Sequence, residues 1–262
     1  MPQKLKGKVA VITGGNSGIG LATAKLFQTE GATVIITGRR KEAVLAATTD
    51  IGGNSIGIVS DSGNLNAIQA LYQNVKEKVG KIDILFLNAG VATSGPLHEQ
   101  TLSDWQWILG VNLMGIVHGL DAFLPGLVAQ DEGHVVITAS VAGLTAYPNL
   151  GPYSASKHAA VAIAETLHNE LSTSGSKVGT TALCPGFVAT GIFESERNRP
   201  EYLTDALAEP ESDEDRDRRI AFLEMIASEA RRPDEVADLV HDAILNRTFW
   251  VCLLYTSPSP RD

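Results

Sequence analysis

The segment that decides the fold is KVAVITGGNSGIG, residues 8–20. A short apolar run leads into a glycine-rich turn, and the turn opens a helical stretch, which is the order found at a dinucleotide-binding βα turn. Gly14 permits a tight turn, Gly18 lets the backbone approach a pyrophosphate, and Gly20 allows the helix to pack closely on the strand. A P-loop is excluded because Leu21 follows the last glycine, where a P-loop carries lysine. The cofactor contacts predicted in this turn are Gly14, Asn16, Ser17, Gly18, Ile19 and Gly20.

Short apolar runs alternate with amphipathic stretches along the rest of the chain, a pattern typical of βαβ units. Strands are predicted over residues 8–13, 32–38, 56–60, 83–89, 134–139, 178–185 and 249–254. The predicted helices include residues 18–28, 65–79, 101–127, 152–171 and 233–245. With short connections and right-handed crossovers, these elements give a Rossmann-like, doubly wound parallel α/β sheet of order 3-2-1-4-5-6-7.

The length of the chain and the regular alternation of predicted strands and helices indicate a single domain over residues 1–252. The chain has 262 residues, which is within reach of one α/β domain, and it shows no repeat or linker. Residues 191–232 break the rhythm after the sixth strand, at the edge of the sheet where ligands bind. We predict that this insertion is a mobile helical substrate lid, with a decorative pair of surface helices as the alternative. Residues 253–262 follow no pattern and are predicted to be a non-native or disordered tail.

Charge and composition exclude several classes of partner. The net charge of −9 is concentrated between residues 191 and 242, which hold sixteen acidic and seven basic residues, so no nucleic-acid partner is expected. No run of 18 apolar residues occurs, and the apolar run near the start is too short for a signal peptide, so no membrane partner is expected either. The two cysteines and six histidines follow no ligand spacing, which predicts no metal. We expect a cytoplasmic protein.

Tyr153 and Lys157 stand four residues apart in the run GPYSASKHA, with Ser140 thirteen residues before the tyrosine. On a helix these two positions share one face, so the ammonium would lie beside the phenol and lower a pKa that is about 10 when unperturbed. A serine hydroxyl at the end of a neighbouring strand would then polarise a substrate oxygen. The alternative is an exposed helix face without chemistry. Ser154 and Ser156 are interpreted as packing or solvent residues on other faces of the helix.

The end of the second strand carries the sequence Gly38-Arg39-Arg40. An NAD site usually presents an acidic residue here to the ribose 2′-hydroxyl, whereas arginine accommodates a 2′-phosphate. With glycine at the acidic position and two guanidinium groups beside it, the sequence favours NADP(H) over NAD(H). The alternative is that Arg39 and Arg40 only begin a solvated helix.

Six features follow one another in a fixed order along the chain. They are the glycine turn, Asn88-Ala89-Gly90 after the fourth strand, Asn112, Ser140, Tyr153-x-x-x-Lys157 and Pro185-Gly186. In this order they resemble the short-chain dehydrogenase/reductase family, over roughly residues 6–191, and the combination of motifs is highly specific.

The resemblance implies a catalytic tetrad of Asn112, Ser140, Tyr153 and Lys157. In such enzymes the tyrosine exchanges a proton with the substrate oxygen while hydride passes to or from the nicotinamide. Ser140 would hold the substrate oxygen, and Lys157 would bind the nicotinamide ribose and lower the tyrosine pKa. Asn112 would anchor a water molecule that continues the proton relay.

The same resemblance implies further cofactor contacts outside the glycine turn. It places Asp61 and Ser62 against the adenine, although Asp61 alone could equally cap the helix that begins at Leu65. The other implied contacts lie along the adenosine ribose, at the nicotinamide ribose and beside the nicotinamide carboxamide. They are Asn88, Ala89, Gly90, Tyr153, Lys157, Pro185, Gly186, Val188 and Thr190.

The activity implied by the resemblance is an NAD(P)-dependent interconversion of a secondary alcohol and a ketone. The visible pocket residues are mostly apolar, which favours a hydrophobic small-molecule substrate. They are Val141, Leu144, Ala146, Phe187, Ile192 and Phe193. In the family, the helices that hold Asn112 and Tyr153 pack between subunits, so a homodimer or homotetramer is expected. The alternatives are a catalytically silent NAD(P)-binding sensor or scaffold, and an enzyme that uses the fold for epimerisation or dehydration.

Overall fold

The protein forms one seven-stranded sheet in which every neighbouring pair of strands is parallel. The computed structural model describes residues 3–204, 220–221 and 230–253. The strands are β1 (Val9–Ile12), β2 (Thr33–Gly38), β3 (Ser55–Val59), β4 (Ile84–Leu87), β5 (Gly133–Thr138), β6 (Val178–Cys184) and β7 (Trp250–Cys252). Their order is β3-β2-β1-β4-β5-β6-β7, so the predicted order and the Rossmann-like fold class are confirmed.

Helices cover both faces of the sheet. They are α1 (Gly18–Thr29), α2 (Lys41–Ile51), α3 (Leu65–Val79), α4 (Leu102–Leu109), α5 (Gly115–Gln130), α6 (Gly151–Thr173) and α7 (Pro233–Asn246). The helix α2 was not among those named from the sequence, because its alanine- and threonine-rich run shows only a weak apolar face. The helix predicted over 101–127 is interrupted by a π-helical turn, Gly110–Met114, between α4 and α5.

The described part of the predicted lid begins with two 3₁₀ segments, Gly191–Asn198 and Glu201–Leu203. We call residues 191–204 the strap. Residues 205–219 and 222–229 of the predicted lid lie outside the described residues, as do residues 254–262 of the predicted tail. Leu253, the first residue of that predicted tail, donates its backbone N–H to the carbonyl of Cys184 at 3.0 Å.

Each face of the sheet has its own apolar core. On one face Val11, Leu85 and Val135 pack against α3, α5 and α6. On the other face Ile36 and Phe86 pack against α1 and α7. Because both faces are covered, the central strands read as continuous apolar runs, as is usual in parallel sheets.

The helix that spans Leu102–Gln130 is long and apolar enough to cross a membrane by length and composition alone, and the described residues contain one such helix. Three of its side chains, Ile116, Phe123 and Leu127, are almost fully buried in the core that lies between this helix and the sheet. Part of its apolar surface therefore belongs to the core of the fold.

The strand order reverses between β1 and β4, and this reversal creates a crevice at the carboxyl edge of the sheet. Ligands of open α/β sheets bind at such a point. The glycine turn follows β1 and Asn88 follows β4. Ser140 and Pro185 follow β5 and β6, so the fold brings the sequence-predicted residues to one edge.

Candidate active site

The side chains of Ser140 and Tyr153 lie close together at the carboxyl edge, where the Ser140 hydroxyl acts to lower the pKa of the phenol. The Ser140 Oγ itself donates a hydrogen bond to the carbonyl of Pro185 at 3.4 Å. Ser140 lies just beyond β5 in extended backbone, where its hydroxyl caps the short 3₁₀ turn Val141–Gly143 by accepting the N–H of Ala142 at 3.1 Å. Tyr153 lies in the first turn of α6, which begins with proline at its second position. The two hydroxyl groups that the sequence assigned to one substrate oxygen are thus adjacent.

Lys157 lies one turn further along α6 and its side chain is almost fully buried. Its Nζ donates a hydrogen bond to the carbonyl of Thr138 at 2.8 Å and lies 5.6 Å from the centroid of the Tyr153 ring. An ammonium group carries three protons, and Thr138 is its one hydrogen-bond acceptor among the described residues. The ammonium is therefore fixed beside the phenol with donor capacity that is not yet used.

The pKa values of this pair differ from the sequence-based expectation. Burial raises the pKa of Tyr153 above its ordinary value of 10.0, while the hydrogen bond with Ser140 works in the opposite direction. Burial also lowers the pKa of Lys157 from 10.5 to about 8. The predicted lowering of the phenol pKa by the lysine is thus wrong for the protein without a bound ligand, because desolvation outweighs the other contributions.

Asn112 is fully buried in the π-helical turn between α4 and α5. Its Oδ1 accepts the N–H of Val91 at 2.8 Å, and its Nδ2 donates to the carbonyl of Val91 at 2.9 Å and to Ser156 Oγ at 3.0 Å. Both amide protons are therefore used inside the protein. The Asn112 side chain thus connects the π turn to the loop after β4 and to helix α6. π-Helical turns are often found at functional sites.

The loop after β4 is tied to the glycine turn through Thr13, which the sequence analysis missed. Its hydroxyl accepts the backbone N–H groups of Asn88 and Ala89 at 2.9 and 3.1 Å. The Asn88 side chain donates back to the Thr13 carbonyl at 3.1 Å and accepts from Thr138 Oγ1 at 3.3 Å. Thr13 directly follows β1 and Thr138 is the last residue of β5. This position at the end of a buried strand was the one signal available in the sequence.

The glycine turn has the backbone that the sequence predicted. Gly14 and Gly18 have φ values of +63° and +53°, which side chains rarely adopt. A Cβ at Gly14 would lie 2.9 Å from the Cα of Ala89, and one at Gly20 would lie 2.6 Å from Asn88 Nδ2. Ser17 occupies the N-cap of α1, Ile19 packs on the core, and Asn16 Oδ1 lies against Gly38.

Arg39 connects two distant parts of the edge. Its Nε lies 3.3 Å from Asp61 Oδ2, and its guanidinium donates to the carbonyl of Asn198 in the strap at 2.8 Å. Asp61 Oδ1 accepts the N–H of Gly63 at 2.9 Å, while the helix cap of α3 is Asn64. The alternative reading of Asp61 as the helix cap is therefore wrong. Arg40 precedes α2 as its N-cap and is exposed.

The remaining predicted contacts lie around the same crevice. The carbonyl of Ser62 is bonded to the buried His118 at 3.0 Å. Thr190 lies against Gly18, where a Cβ would be 2.9 Å from its methyl group. Val188 is buried and pairs with Arg231. Pro185 accepts the N–H of Val141 at 3.0 Å, and Gly186 and Gly90 follow β6 and β4.

The strap is fastened at two points, to the loop after β4 and to helix α4. Ser195, almost fully buried, accepts the N–H of Ala92 at 3.1 Å. Arg199 lies over the ring of Trp107, with its guanidinium carbon 4.5 Å from the ring centroid, and forms ion pairs with Asp104 and Glu196. Apart from the local pair with Glu196, these contacts were not visible in the sequence because they join segments about ninety or more positions apart.

The edge fits an extended dinucleotide. The turn before α1 needs glycine at two positive φ values, and the start of this 12-residue helix provides free N–H groups that favour phosphate. At Gly90 a Cβ would still lie 3.6 Å from Asn112 Oδ1 and Lys157 Nζ, so room remains beside the two polar groups. The buried ammonium with unused protons suits the hydroxyl groups of a ribose.

Comparison with known proteins agrees with this geometry. The profile of the family described as "short chain dehydrogenase" matches residues 8–201. An oxidoreductase of Listeria monocytogenes is 35% identical over 194 residues, which cover 73% of this chain and 78% of the relative. C alpha-dehydrogenase of a Sphingobium species is 32% identical over 250 residues, which cover 93% of this chain and 79% of that protein.

A solved structure shows the same fold with a bound nucleotide. It is a short-chain dehydrogenase/reductase from Burkholderia phymatum in complex with NAD, which is 39% identical and has a TM-score of 0.90. The match covers 95% of this chain and 89% of that one. The chain therefore belongs to the short-chain dehydrogenase/reductase family and is an NAD(P)-dependent oxidoreductase.

Proposed function

We propose that the protein interconverts a hydrophobic ketone and the corresponding secondary alcohol, with Tyr153 as the general acid and base. The observation that carries this proposal is the adjacency of three groups: the Tyr153 phenol, the Ser140 hydroxyl next to it, and the Lys157 ammonium held 5.6 Å from the centroid of the phenol ring. A proton donor, an oxygen-polarising hydroxyl and a fixed cation are the groups that carbonyl reduction requires.

In the reducing direction, Tyr153 holds a proton at its phenol oxygen and gives it to the substrate oxygen. The bound nicotinamide supplies the hydride that this chemistry needs. Ser140 donates a hydrogen bond to the same substrate oxygen and stabilises the negative charge that develops on it. Lys157 provides a fixed positive charge beside the phenolate that remains, which lowers the free energy of that state.

The raised pKa of Tyr153 agrees with this direction of proton transfer, because the phenol is protonated at neutral pH and ready to donate. Asn112 holds the loop after β4 in place, and both protons of its side-chain amide are already used by Val91 and Ser156. We propose that Asn112 anchors the water molecule of the proton relay, for which its side chain offers only the second lone pair of Oδ1.

NADP(H) is the proposed cofactor. Gly38 leaves the end of β2 without an acidic side chain, and Arg39 stands next to it with its guanidinium held at the adenosine end of the crevice by Asp61. Arginine at this place suits a 2′-phosphate. The related structure with NAD shows that members of this family with similar sequence also take the cofactor that lacks this phosphate.

The cofactor preference is tested with Arg39→Ala and with the exposed neighbour variant Arg40→Ala. We expect Arg39→Ala to weaken NADPH binding by about 10-fold to 100-fold, as the loss of a charge-assisted contact does, and to leave NADH binding within about 2-fold. Dissociation constants from the quenching of protein fluorescence give the ratio directly. An unchanged ratio of NADPH to NADH affinity in Arg39→Ala would refute the preference.

A hydrophobic substrate is proposed from the walls of the crevice. Leu144 and Tyr147 are 42% and 43% exposed beside the 3₁₀ turn after Ser140, while Phe187 and Phe193 lie with ring centroids 6.5 Å apart on the strap side. Apolar and aromatic walls around a few converging polar groups are typical of small-molecule sites. A sugar or a highly charged metabolite would need more polar anchors than these.

The proposal also covers the domain organisation, the compartment and the oligomeric state of the protein. Residues 1–252 act as one domain in the cytoplasm, and the chain assembles as a homodimer or homotetramer. Light scattering at micromolar concentration tests the assembly, and a monomer would contradict it.

The activity is tested by NADPH oxidation against a panel of ketones that includes cyclohexanone and acetophenone, for the wild type and for Tyr153→Phe. Turnover by the wild type with a loss of at least about 100-fold in Tyr153→Phe is expected, since general acid catalysis contributes that much or more. Tight NADPH binding without turnover in the wild type would instead support a silent sensor.

A further inference from the structure

Ser156 lies between two residues of the proposed tetrad. It is fully buried in α6, three positions after Tyr153. Its Oγ accepts a hydrogen bond from Asn112 Nδ2 at 3.0 Å and donates one to the carbonyl of Tyr153 at 2.7 Å. One hydroxyl thus joins the π turn that carries Asn112 to the first turn of the helix that carries the phenol.

The direction of these two hydrogen bonds is set by the helix. A serine inside a helix commonly donates its single proton to a carbonyl in the preceding turn, and Ser156 does so to Tyr153. Since that proton is used, the oxygen can only accept from Asn112. The Asn112 amide must therefore point its nitrogen at Ser156.

This orientation accounts for the other two contacts of Asn112. With Nδ2 directed at Ser156 and at the carbonyl of Val91, Oδ1 is left to accept the N–H of Val91 at 2.8 Å. With the opposite orientation, the Asn112 nitrogen would face the N–H of Val91, and the Asn112 oxygen would face the carbonyl of Val91. The backbone of Val91 thus already favours this orientation, and Ser156 adds a third contact that favours it too and ties Asn112 to helix α6.

We infer that Ser156 is a positioning residue, which holds Asn112 in its active orientation and locks the π turn to the helix of Tyr153. The inference rests on the proposed function of Asn112 and Tyr153. It corrects the sequence-based interpretation of Ser156 as a packing or solvent residue, because periodicity places a side chain on a face but does not reveal the partner that it meets there.

The chain contains a matched control for this inference. Ser154 stands two positions earlier in the same helix and is also buried, but its Oγ has no hydrogen-bond partner among the described residues. Ser154→Ala and Ser156→Ala remove the same atom from the same helix. A general effect of losing a buried serine hydroxyl would appear in both variants.

The first measurement is hydrogen exchange of the Val91 amide in the protein without cofactor. That N–H is held by Asn112 Oδ1, so Ser156→Ala should accelerate its exchange by at least about 10-fold through release of the amide, while Ser154→Ala leaves it unchanged. Ser156→Thr keeps the hydroxyl and should restore slow exchange; Ser156→Cys serves in its place if the added methyl prevents folding. Equal exchange in Ser156→Ala and Ser154→Ala would overturn the inference.

The second measurement is a double-mutant cycle on NADPH oxidation with cyclohexanone as the probe ketone. We expect Ser156→Ala and Asn112→Ala each to lower kcat by about 10-fold to 100-fold, as small misplacements at an active site do, with no further loss in the double variant. Additive losses would overturn the inference. A wild type without turnover, or an active Tyr153→Phe, would overturn the proposed function instead, while the Val91 exchange result would still stand by itself.

Discussion

Lys157 combines two properties that oppose each other, a positive charge and nearly complete burial. Burial lowers its pKa to about 8, so the ammonium is held in the folded protein at a cost in stability at neutral pH. A ribose that accepts its unused protons would offset that cost. The residue thus illustrates how a site is kept less stable than the surrounding core so that it can bind.

The pH dependence of stability follows from this pKa. The pKa in the folded protein is below the ordinary 10.5, so the unfolded chain binds more protons between pH 8 and 10.5 and stability rises with pH across that window. Relative to Lys157→Met, the wild type should therefore gain free energy of unfolding between pH 7 and pH 10, by up to about 3 kcal/mol. Urea unfolding at both values checks this, and a pH-independent difference between the two proteins would contradict it.

For individual residues, the position in the site could be predicted from the sequence more often than the role. The positions of Ser140, Tyr153 and Lys157 at one edge could be predicted because strand order and helical spacing determine them. The roles of Thr13 and Ser156 could not, since a hydroxyl reveals its partner only when the chain is folded. The pKa of Tyr153 was predicted in the wrong direction because its burial was not visible in the sequence.

Arg199 holds the strap against helix α4 through its contacts with Asp104 and Trp107. Burial works to raise the pKa of Asp104, but hydrogen bonds from Arg199 and Thr101 outweigh it and hold that pKa below its ordinary value. The guanidinium also covers the Trp107 ring, and its side chain is only 10% exposed. The described strap is therefore packed against α4, and the mobile lid over residues 191–232 stays a prediction.

Because Arg199 holds the strap on α4, we expect Arg199→Ala to lower the local stability of the strap. Removal of one partner from a mostly buried ion pair leaves Asp104 uncompensated, which costs roughly 3 kcal/mol in comparable pairs, and this cost falls mainly on the strap. We expect proteolytic cleavage within residues 191–204 to accelerate by at least about 10-fold, since local opening follows local stability. Arg232→Ala, whose side chain is 70% exposed, is the control. Equal cleavage rates in the two variants would show that Arg199 does not fasten the strap.

Most of the other elements could be predicted from periodicity alone. The β-strands were found within a few residues, and the ends of α3 were predicted correctly because Asn64 and Gly80 bound a clear apolar pattern. The π turn inside the helix predicted over 101–127 was not foreseen, because it depends on the bonds that Asn112 makes to Val91. Elements set by local pattern were predictable, and those set by tertiary bonds were not.

The molecule as a whole is built on a parallel sheet that is buried on both faces, and this sheet contains a titratable side chain. His134 in β5 is buried, and its ring is bonded to Thr181 Oγ1 at 2.7 Å. Burial lowers its pKa from 6.5 to about 4, and the positive charge of Arg247 contributes in the same direction.

This histidine predicts how the whole fold responds to acid. Its pKa in the folded protein is below the ordinary value, so its contribution to stability is present above pH 6.5 and is lost as pH falls through about 4. Against His134→Asn, the wild type should lose up to about 3 kcal/mol of unfolding free energy between pH 7 and pH 4. Parallel urea titrations of both proteins measure this, and equal losses would contradict it.

The central claim is that Tyr153 donates the proton in a nicotinamide-dependent ketone reduction. The most direct test measures NADPH binding and ketone turnover in the wild type and in Tyr153→Phe, which removes one oxygen atom. We expect NADPH affinity to stay within about 3-fold while kcat/KM falls by at least about 100-fold, as the loss of a general acid requires. Equal kcat/KM for the two proteins would contradict the claim.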